Sequence, residues 1–554
     1  MLRVAAVQYA VGEDVAENLA TALRMVGRAV EAGAEVVVLP EFGNHVSWYA
    51  DREHARRHAQ RLDGEFVRSL AAAAAEHGIY LMVNCTLLRE DGRVGGSNVL
   101  LGPDGSVLAV SDKQVLMGSE RDHIDPAVDR IAPVDTPVGR LGLYSCMDGV
   151  IYETPRMLAV EGAQVLLNSL NSFALDEASL HVPVRAVENK VWVVAANKVG
   201  PLVPAHSIEA VAERVGVPVD RLHGAGESQI VAPDGTVVAV APRTGEAVVV
   251  ADIDVTLADD KSRPDGTDVI ASRRPDLYGP IAEAPRGRTA PAGADEIRAA
   301  VLTPSVGSGD AELPALLAEA VAAGADLVVL PERAGLGAVD IAPLLTGTTT
   351  RVVTSVVDDA GAHVGLVVSA DGVEHVQPQL HGRGAAQAAS GGEAGGEAGG
   401  ADGIGVLTTP WGRLAVVVGD DALYPETFRL VALADADVVA VPFSVAERHD
   451  VDLMLLERAA ENRLNLAVAS RPHPEHGAGA LIPLSADFTL WGEWSGPFQG
   501  VISRPDPVPA RVGVTVATLR PVCATNRFVS RGTDVVDGRP WHLASALTAV
   551  LVRD

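Results

Sequence analysis

Short, near-continuous apolar runs alternate along this chain with longer stretches of helical spacing. Val36 to Leu39, Leu141 to Ser145, Val165 to Asn168 and Val191 to Ala196 hold too few polar positions for a strand with one wet face. They predict strands buried on both sides. Asn18 to Ala32, Gly64 to His77 and Glu153 to Gly162 predict helices, the second and third closing on glycine. Strands and helices in alternation predict an α/β layered fold.

The pattern is written twice. E-A-G-A-E-V-V-V-L-P-E ends at Glu41, and A-A-G-A-D-L-V-V-L-P-E ends at Glu332. T-P-V-G-R-L-G-L-Y-S-C-M-D from Thr136 answers T-P-W-G-R-L-A-V-V-V-G-D-D from Thr409. At the same offset Glu153, Thr154 and Arg156 match Glu426, Thr427 and Arg429, and R-A-V-E-N at Arg185 matches R-A-A-E-N at Arg458. Such ordered matches predict two copies of one domain, over 1–279 and 297–554. The Pro- and Ala-rich stretch 280–296 reads as the linker. The Gly/Ala/Glu segment 383–405 reads as a disordered surface loop.

Composition narrows the function classes. The 554 residues carry a net charge of −28, which argues against nucleic acid or an anionic membrane as a partner. No apolar stretch reaches eighteen residues, so no membrane span is expected. The start M-L-R-V-A-A-V-Q-Y reads as a first strand, without a signal-peptide pattern. Cys85, Cys146 and Cys523 have neither disulfide-framework nor zinc spacing, which fits a reducing cytoplasm. His45, His54, His58 and His77 read as solvated side chains without ligand spacing. Asp259-Asp260 and Asp420-Asp421 read as charged turns. No metal and no cofactor are expected.

The candidate chemistry lies in the first copy. Glu41 follows one apolar run and Cys146 ends another, and strand ends are where sites collect in α/β folds. Lys113 stands in V-S-D-K-Q-V-L-M-G-S-E, seven residues before Glu120; all four lysines of the chain (Lys113, Lys190, Lys198, Lys261) lie in the first half. A carboxylate, an ammonium and a thiol together can split a carbon–nitrogen bond through a thioester. The ammonium favours thiolate, the carboxylate takes the proton, and lysine with the backbone N–H of Met147 meets the oxyanion. Ser145 has no partnered histidine, which disfavours a serine triad.

The set L-P-E, D-K-x-x-L-x-x-x-E and G-x-x-x-C-x-D resembles the nitrilase superfamily of carbon–nitrogen hydrolases. R-A-V-E-N, A-A-N-K-V-G, G-E-S-Q-I-V-A-P-D-G-T at Gly226 and R-R-P-D-L-Y extend the resemblance over residues 1–279. The resemblance implies tandem four-layer α-β-β-α sandwiches, paired within the chain as family subunits pair in eight-layer dimers. It implies Glu41 as general base, Lys113 as oxyanion lysine, Cys146 as nucleophile and Glu120 as the residue that holds lysine and substrate. Met147 stands where relatives often carry an aromatic residue. Asp148 follows the amidase habit, and Gly149-Val150 lack the arginine of carbamoyl branches. The expected activity is an amidase on a small amide. The alternatives are a nitrilase or N-carbamoyl amide hydrolase, acyl transfer to a soluble acceptor, or a non-catalytic binding or assembly protein.

The second copy keeps Glu332 but has Gly419 at the cysteine position and no lysine anywhere. Its lysine block is replaced by Val376 to His381. It reads as a catalytically dead copy that stands in for a partner subunit. Homo-oligomers built from such intrachain pairs fit the same reading.

Overall fold

In the computed structural model, residues 1–307, 309–382, 403–486, 488–490 and 499–550 are described. Of the stretch read as a disordered loop, 383–402 lie outside them. Among the described residues four six-stranded sheets carry the fold. The first runs Ala247–Ile253, Leu2–Gln8, Val36–Val38, Tyr80–Leu88, Val94–Leu101, Val107–Asp112. The second runs Val237–Val240, Gln229–Val231, Trp192–Ala196, Val165–Ser169, Gly139–Ser145, Val134–Thr136.

The two sheets of this half pack face to face. Along Leu2–Gln8, Leu2, Val4 and Ala6 face the second sheet, meeting Leu141, Leu143, Val165 and Leu167. Ala5 and Val7 point the other way, onto Ala22, Met25, Phe66 and Leu70 of the helices Val15–Glu31 and Glu65–His77. The period-two alternation thus has apolar partners on both sides, which is why these strands read as continuous apolar runs. Beyond the second sheet, Leu158, Ala159 and Ala186 of the helices Glu153–Val160 and Val182–Val187 complete four layers. The helix read as starting at Asn18 starts at Val15, because the Asp14 carboxylate accepts the N–H groups of Ala16 and Glu17. The helix Glu65–His77 ends on Gly78 at φ 65°, the left-handed cap that glycine supplies.

Residues 297–519 repeat both strand orders. Gly513–Leu519, Ile297–Thr303, Leu327–Val329, Arg351–Val357, His363–Ser369 and Gly372–Pro378 form one sheet. Val508–Pro509, Ala480–Ile482, Asn465–Ala469, Val438–Pro442, Gly412–Val416 and Val406–Thr409 form the other. The halves meet through their inner helix layers. Val150, Ile151, Leu180 and Val184 share one core with Phe428, Val431, Leu455 and Ala459.

Fully buried ion pairs cross this contact in matched directions. Arg156 Nε bonds Glu426 Oε1 at 2.9 Å, and Arg429 Nε bonds Glu153 Oε1 at 2.7 Å. Arg185 reaches Glu457 and Glu461 at 2.5 and 2.6 Å, and Arg458 pairs with Glu188. Residue i meeting j while the counterpart of j meets the counterpart of i is the signature of an isologous twofold contact, here inside one chain. The result is an eight-layer pseudo-dimer. Residues 280–296 are tied along the second half. Arg288 bonds Asp437 at 2.6 Å, the N–H of Thr289 donates to Asp435, and Ala294 N–H donates to the carbonyl of Trp411.

Candidate active site

Three strand ends in the first half bring the predicted side chains together. The chain leaves Val36–Val38 through Leu39 and Pro40, and Glu41 N–H donates to the carbonyl of Leu170. Phe42 turns the chain at φ 50°, its N–H held by Asn84 Oδ1 at 2.8 Å. Lys113 is the first residue after Val107–Asp112, anchored by its N–H to the carbonyl of Gly96. Glu120 sits in the single turn Gly118–Asp122, where its Oε2 accepts the N–H of Met117 at 2.9 Å.

Cys146 closes Gly139–Ser145 at φ 45°, ψ −110°, a conformation strained for any side chain. Its N–H is held by the Ser169 carbonyl at 3.0 Å and Asn168 Oδ1 at 3.2 Å. Asp148, pushed up to about 7 by burial, accepts the N–H groups of Gln114 and Val115. It thereby ties the cysteine turn to the lysine segment. Met147 opens the turn Met147–Val150, so its N–H is one of the first-turn donors that no helical carbonyl claims.

The ammonium of Lys113 lies 2.8 Å from Glu120 Oε1 and 2.9 Å from Glu41 Oε1, with Lys113 and Glu41 fully enclosed. The Glu120 contact is a hydrogen bond; the Glu41 contact is less well aligned. Burial lifts Glu41 to about 7, partly opposed by Lys113. Burial, and then Glu41, also push the Cys146 thiol well up, more than Lys113 draws it down. The ammonium does favour thiolate, as expected, but in this enclosed site removing the anion from water outweighs one neighbouring cation. The arrangement gives a thiol and a carboxylate that are both lifted by burial and both feel the charge of Lys113.

Two further charges belong to this site. Lys198 is fully buried, its Nζ makes no hydrogen bond, and burial lowers it to about 7. Glu41 and Cys146 both act on it, and it lies 5.9 Å from the Phe42 ring centroid. Glu177 is likewise buried; burial lifts it to about 7 against the pull of His181 and the Ser172 hydroxyl, and its charge acts on Cys146. The scarcity of lysine and the A-A-N-K-V-G block were the sequence signals that could have marked Lys198. Nothing in the sequence around Glu177 marks it.

The second half reaches this site. The Thr533 hydroxyl donates to the carbonyl of Leu116 at 2.9 Å and accepts the N–H of Gly118 at 3.1 Å, and Arg531 pairs with Asp122. These contacts bracket Glu120. Asp176, next to Glu177, accepts the N–H groups of Ile502, Ser503 and Arg504.

At the corresponding place in the second half the same framework holds different side chains. Asp421 accepts the N–H groups of Leu380 and His381 as Asp148 accepts those of Gln114 and Val115. That register puts Gln379 where Lys113 stands and Gly419 where Cys146 stands. Gly419 keeps the turn at φ 53°, and a Cβ there would meet Glu332 Oε1 at 2.7 Å. Asp421 is buried and fully engaged, so the reading of Asp420-Asp421 as a charged turn is corrected. Cys523 is buried beside Leu484 and Ala524, away from this framework.

The histidines also depart from expectation. His77 ends its helix alone, but His45, His54 and His58 converge, with one ring nitrogen of each within 4.8 Å of the others. The loop after Glu41 folds back over the helix Arg52–His58, which carries His54 and His58 four residues apart on one face. Four-residue spacing on a helix is ligand spacing, and it went unread because the helix itself was not predicted.

Among the described residues no helix is long and apolar enough to cross a membrane. The carbon-nitrogen hydrolase family profile matches residues 3–261. A nitrilase of Pyrococcus abyssi (strain GE5 / Orsay) is 30% identical over 264 residues, covering 47% of this chain and 93% of the relative. Omega-amidase NIT2 of Homo sapiens is 29% identical over 290 residues, 50% of this chain and 96% of the relative. Among solved structures, the C. elegans NitFhit protein aligns with a TM-score of 0.42 at 24% identity, over 53% of this chain and 69% of its own. An amidase from Nesterenkonia sp. aligns at 0.38 and 23%, over 48% and 94%. The chain belongs to the carbon-nitrogen hydrolase family and is a hydrolase of carbon–nitrogen bonds.

Proposed function

We propose that this chain is an amidase acting on a small, non-peptide amide through a thioester on Cys146, with one active site per chain. The observation that carries the reading is the enclosed group of Lys113 between Glu41 and Glu120, on the segment that Asp148 ties to the strained Cys146 turn. Cys146 Sγ attacks the amide carbon as its proton passes to Glu41. Lys113 and the N–H of Met147 receive the negative charge that develops on the carbonyl oxygen. Glu41 then protonates the leaving nitrogen, the carbon–nitrogen bond breaks, and the amine departs. Water, deprotonated by Glu41, cleaves the thioester. Glu120 holds Lys113 in place.

Asp148 and the absence of an arginine at Gly149-Val150 favour the amide reading over nitriles and N-carbamoyl amides. Relatives named nitrilase and omega-amidase keep both bond types within reach. Lys198 and Glu177 offer a donor and an acceptor for the substrate's remaining polar groups. In this reading residues 297–554 form a catalytically dead domain, joined to 1–279 through 280–296. Its Thr533 and its Ile502 to Arg504 backbone brace the two segments that carry Glu120 and Glu177.

The test is a pool of amides, ureido acids and nitriles offered to the full chain, with ammonia release and intact mass recorded together. A single acyl adduct on Cys146 is expected, its mass naming the acyl group, and Cys146→Ala should release no ammonia. Turnover by a folded Cys146→Ala protein, or a second equivalent of label on Cys523, would overturn the reading.

A further inference from the structure

The three converging imidazoles stand outside the machinery above. His58 and His45 have ring centroids 4.4 Å apart, and His54 and His58 4.8 Å. His45 is buried and stacks on Tyr49 at 5.1 Å. Its Nδ1 lies 2.6 Å from the carbonyl of Val46, a contact only a protonated nitrogen can make. That fixes the tautomer and leaves the Nε2 lone pair bare. The Glu13 carboxylate acts on both rings.

We propose that His45, His54 and His58 bind one divalent transition-metal ion of the zinc class. Imidazoles are ligands such an ion takes, three of them suffice for a tetrahedral site with one open position, and His54 and His58 are only partly buried. Glu13 lowers the cost of placing a cation there. The ion would sit on the loop that follows Glu41 and take no part in the thioester chemistry. Binding is coupled to that loop. The Nδ1 of His54 accepts the N–H of Ala50 at 3.1 Å. Coordination through Nδ1 displaces this bond, and coordination through Nε2 moves the ring hydrogen to Nδ1 and removes the acceptor. Either way the N–H of Ala50 loses that acceptor, in the stretch from Val46 to Asp51. It carries Ser47, whose hydroxyl accepts a 2.7 Å bond from Asn171 Nδ2, on the segment that leads to Glu177.

The experiment uses the tag-free full chain, stripped with chelator, titrated with Zn²⁺ by calorimetry and with Co²⁺ by visible absorption. One equivalent with the d–d bands of tetrahedral cobalt is expected. His54→Ala and His58→Ala should each weaken binding at least tenfold with an unfolding midpoint, without metal, close to wild type. Cys146→Ala should bind as wild type does. No saturable Zn²⁺ binding, undiminished binding by His58→Ala, or loss of binding in Cys146→Ala would each overturn the site.

Discussion

Replacing Glu426 by glutamine tests the pairing of the two halves. In the native chain the Glu426 carboxylate receives Arg156 Nε at 2.9 Å and Arg273 Nε at 2.8 Å, all three side chains buried. Burial alone would raise Glu426, but Arg156 and Arg273 outweigh it and hold the carboxyl down at about 2 from an ordinary 4.5. A difference of about 2.5 units at 1.36 kcal/mol each corresponds to about 3 kcal/mol of stability near neutral pH. The same size follows independently from leaving buried guanidinium groups without their anion, about 3–5 kcal/mol. Glu426→Gln keeps the volume, so packing contributes little to the change.

The pH dependence gives the sign. A carboxyl lowered by folding stabilises fully above its unfolded value and loses that contribution as pH falls toward the folded one. The gap between wild type and variant should therefore be about 3 kcal/mol at pH 7 and shrink between about pH 4.5 and 2. Urea unfolding of both proteins, followed by far-ultraviolet circular dichroism through the first transition, reads this gap. A variant as stable as wild type at pH 7, or a gap constant down to pH 2.5, would refute the reasoning.

Three further outcomes are expected. In the proposed mechanism Glu41, lifted to about 7, must be ionised to accept the thiol proton, so kcat/KM should fall as pH drops below about 7; a profile flat to pH 5.5 would remove Glu41 as the base. In the same mechanism Lys113→Met should slow single-turnover acylation by a factor of about 10²–10³, the cost of one oxyanion donor, with little change in substrate binding. Thr533→Val should cost about 1 kcal/mol of stability for its lost hydrogen bonds yet depress kcat severalfold, since Glu120 loses its brace. An unchanged kcat in a folded Thr533→Val protein would show that the second half does not support the site.

The sequence by itself determined the layered α/β fold and the repeat, and marked Glu41, Lys113, Glu120 and Cys146 as candidates. Buried strands demand apolar runs, and chemistry at strand ends demands particular residue types next to those runs, so both leave marks in linear order. The loss of Cys146's counterpart at Gly419 is legible for the same reason. Tertiary structure alone decided what depends on proximity between distant segments. Glu177 and Lys198 join the candidate site only when their segments close around Cys146, and burial there outweighs the pull of Lys113 on the thiol. His45, His54 and His58 form a cluster only because one loop folds back on a short helix whose charged, alanine-poor sequence carries no helical apolar stripe. The reach of Thr533 to Leu116 and Gly118 spans more than four hundred residues of chain. Periodicity records what each segment buries, not which distant segment it buries against; the paired surfaces of the two halves settle that.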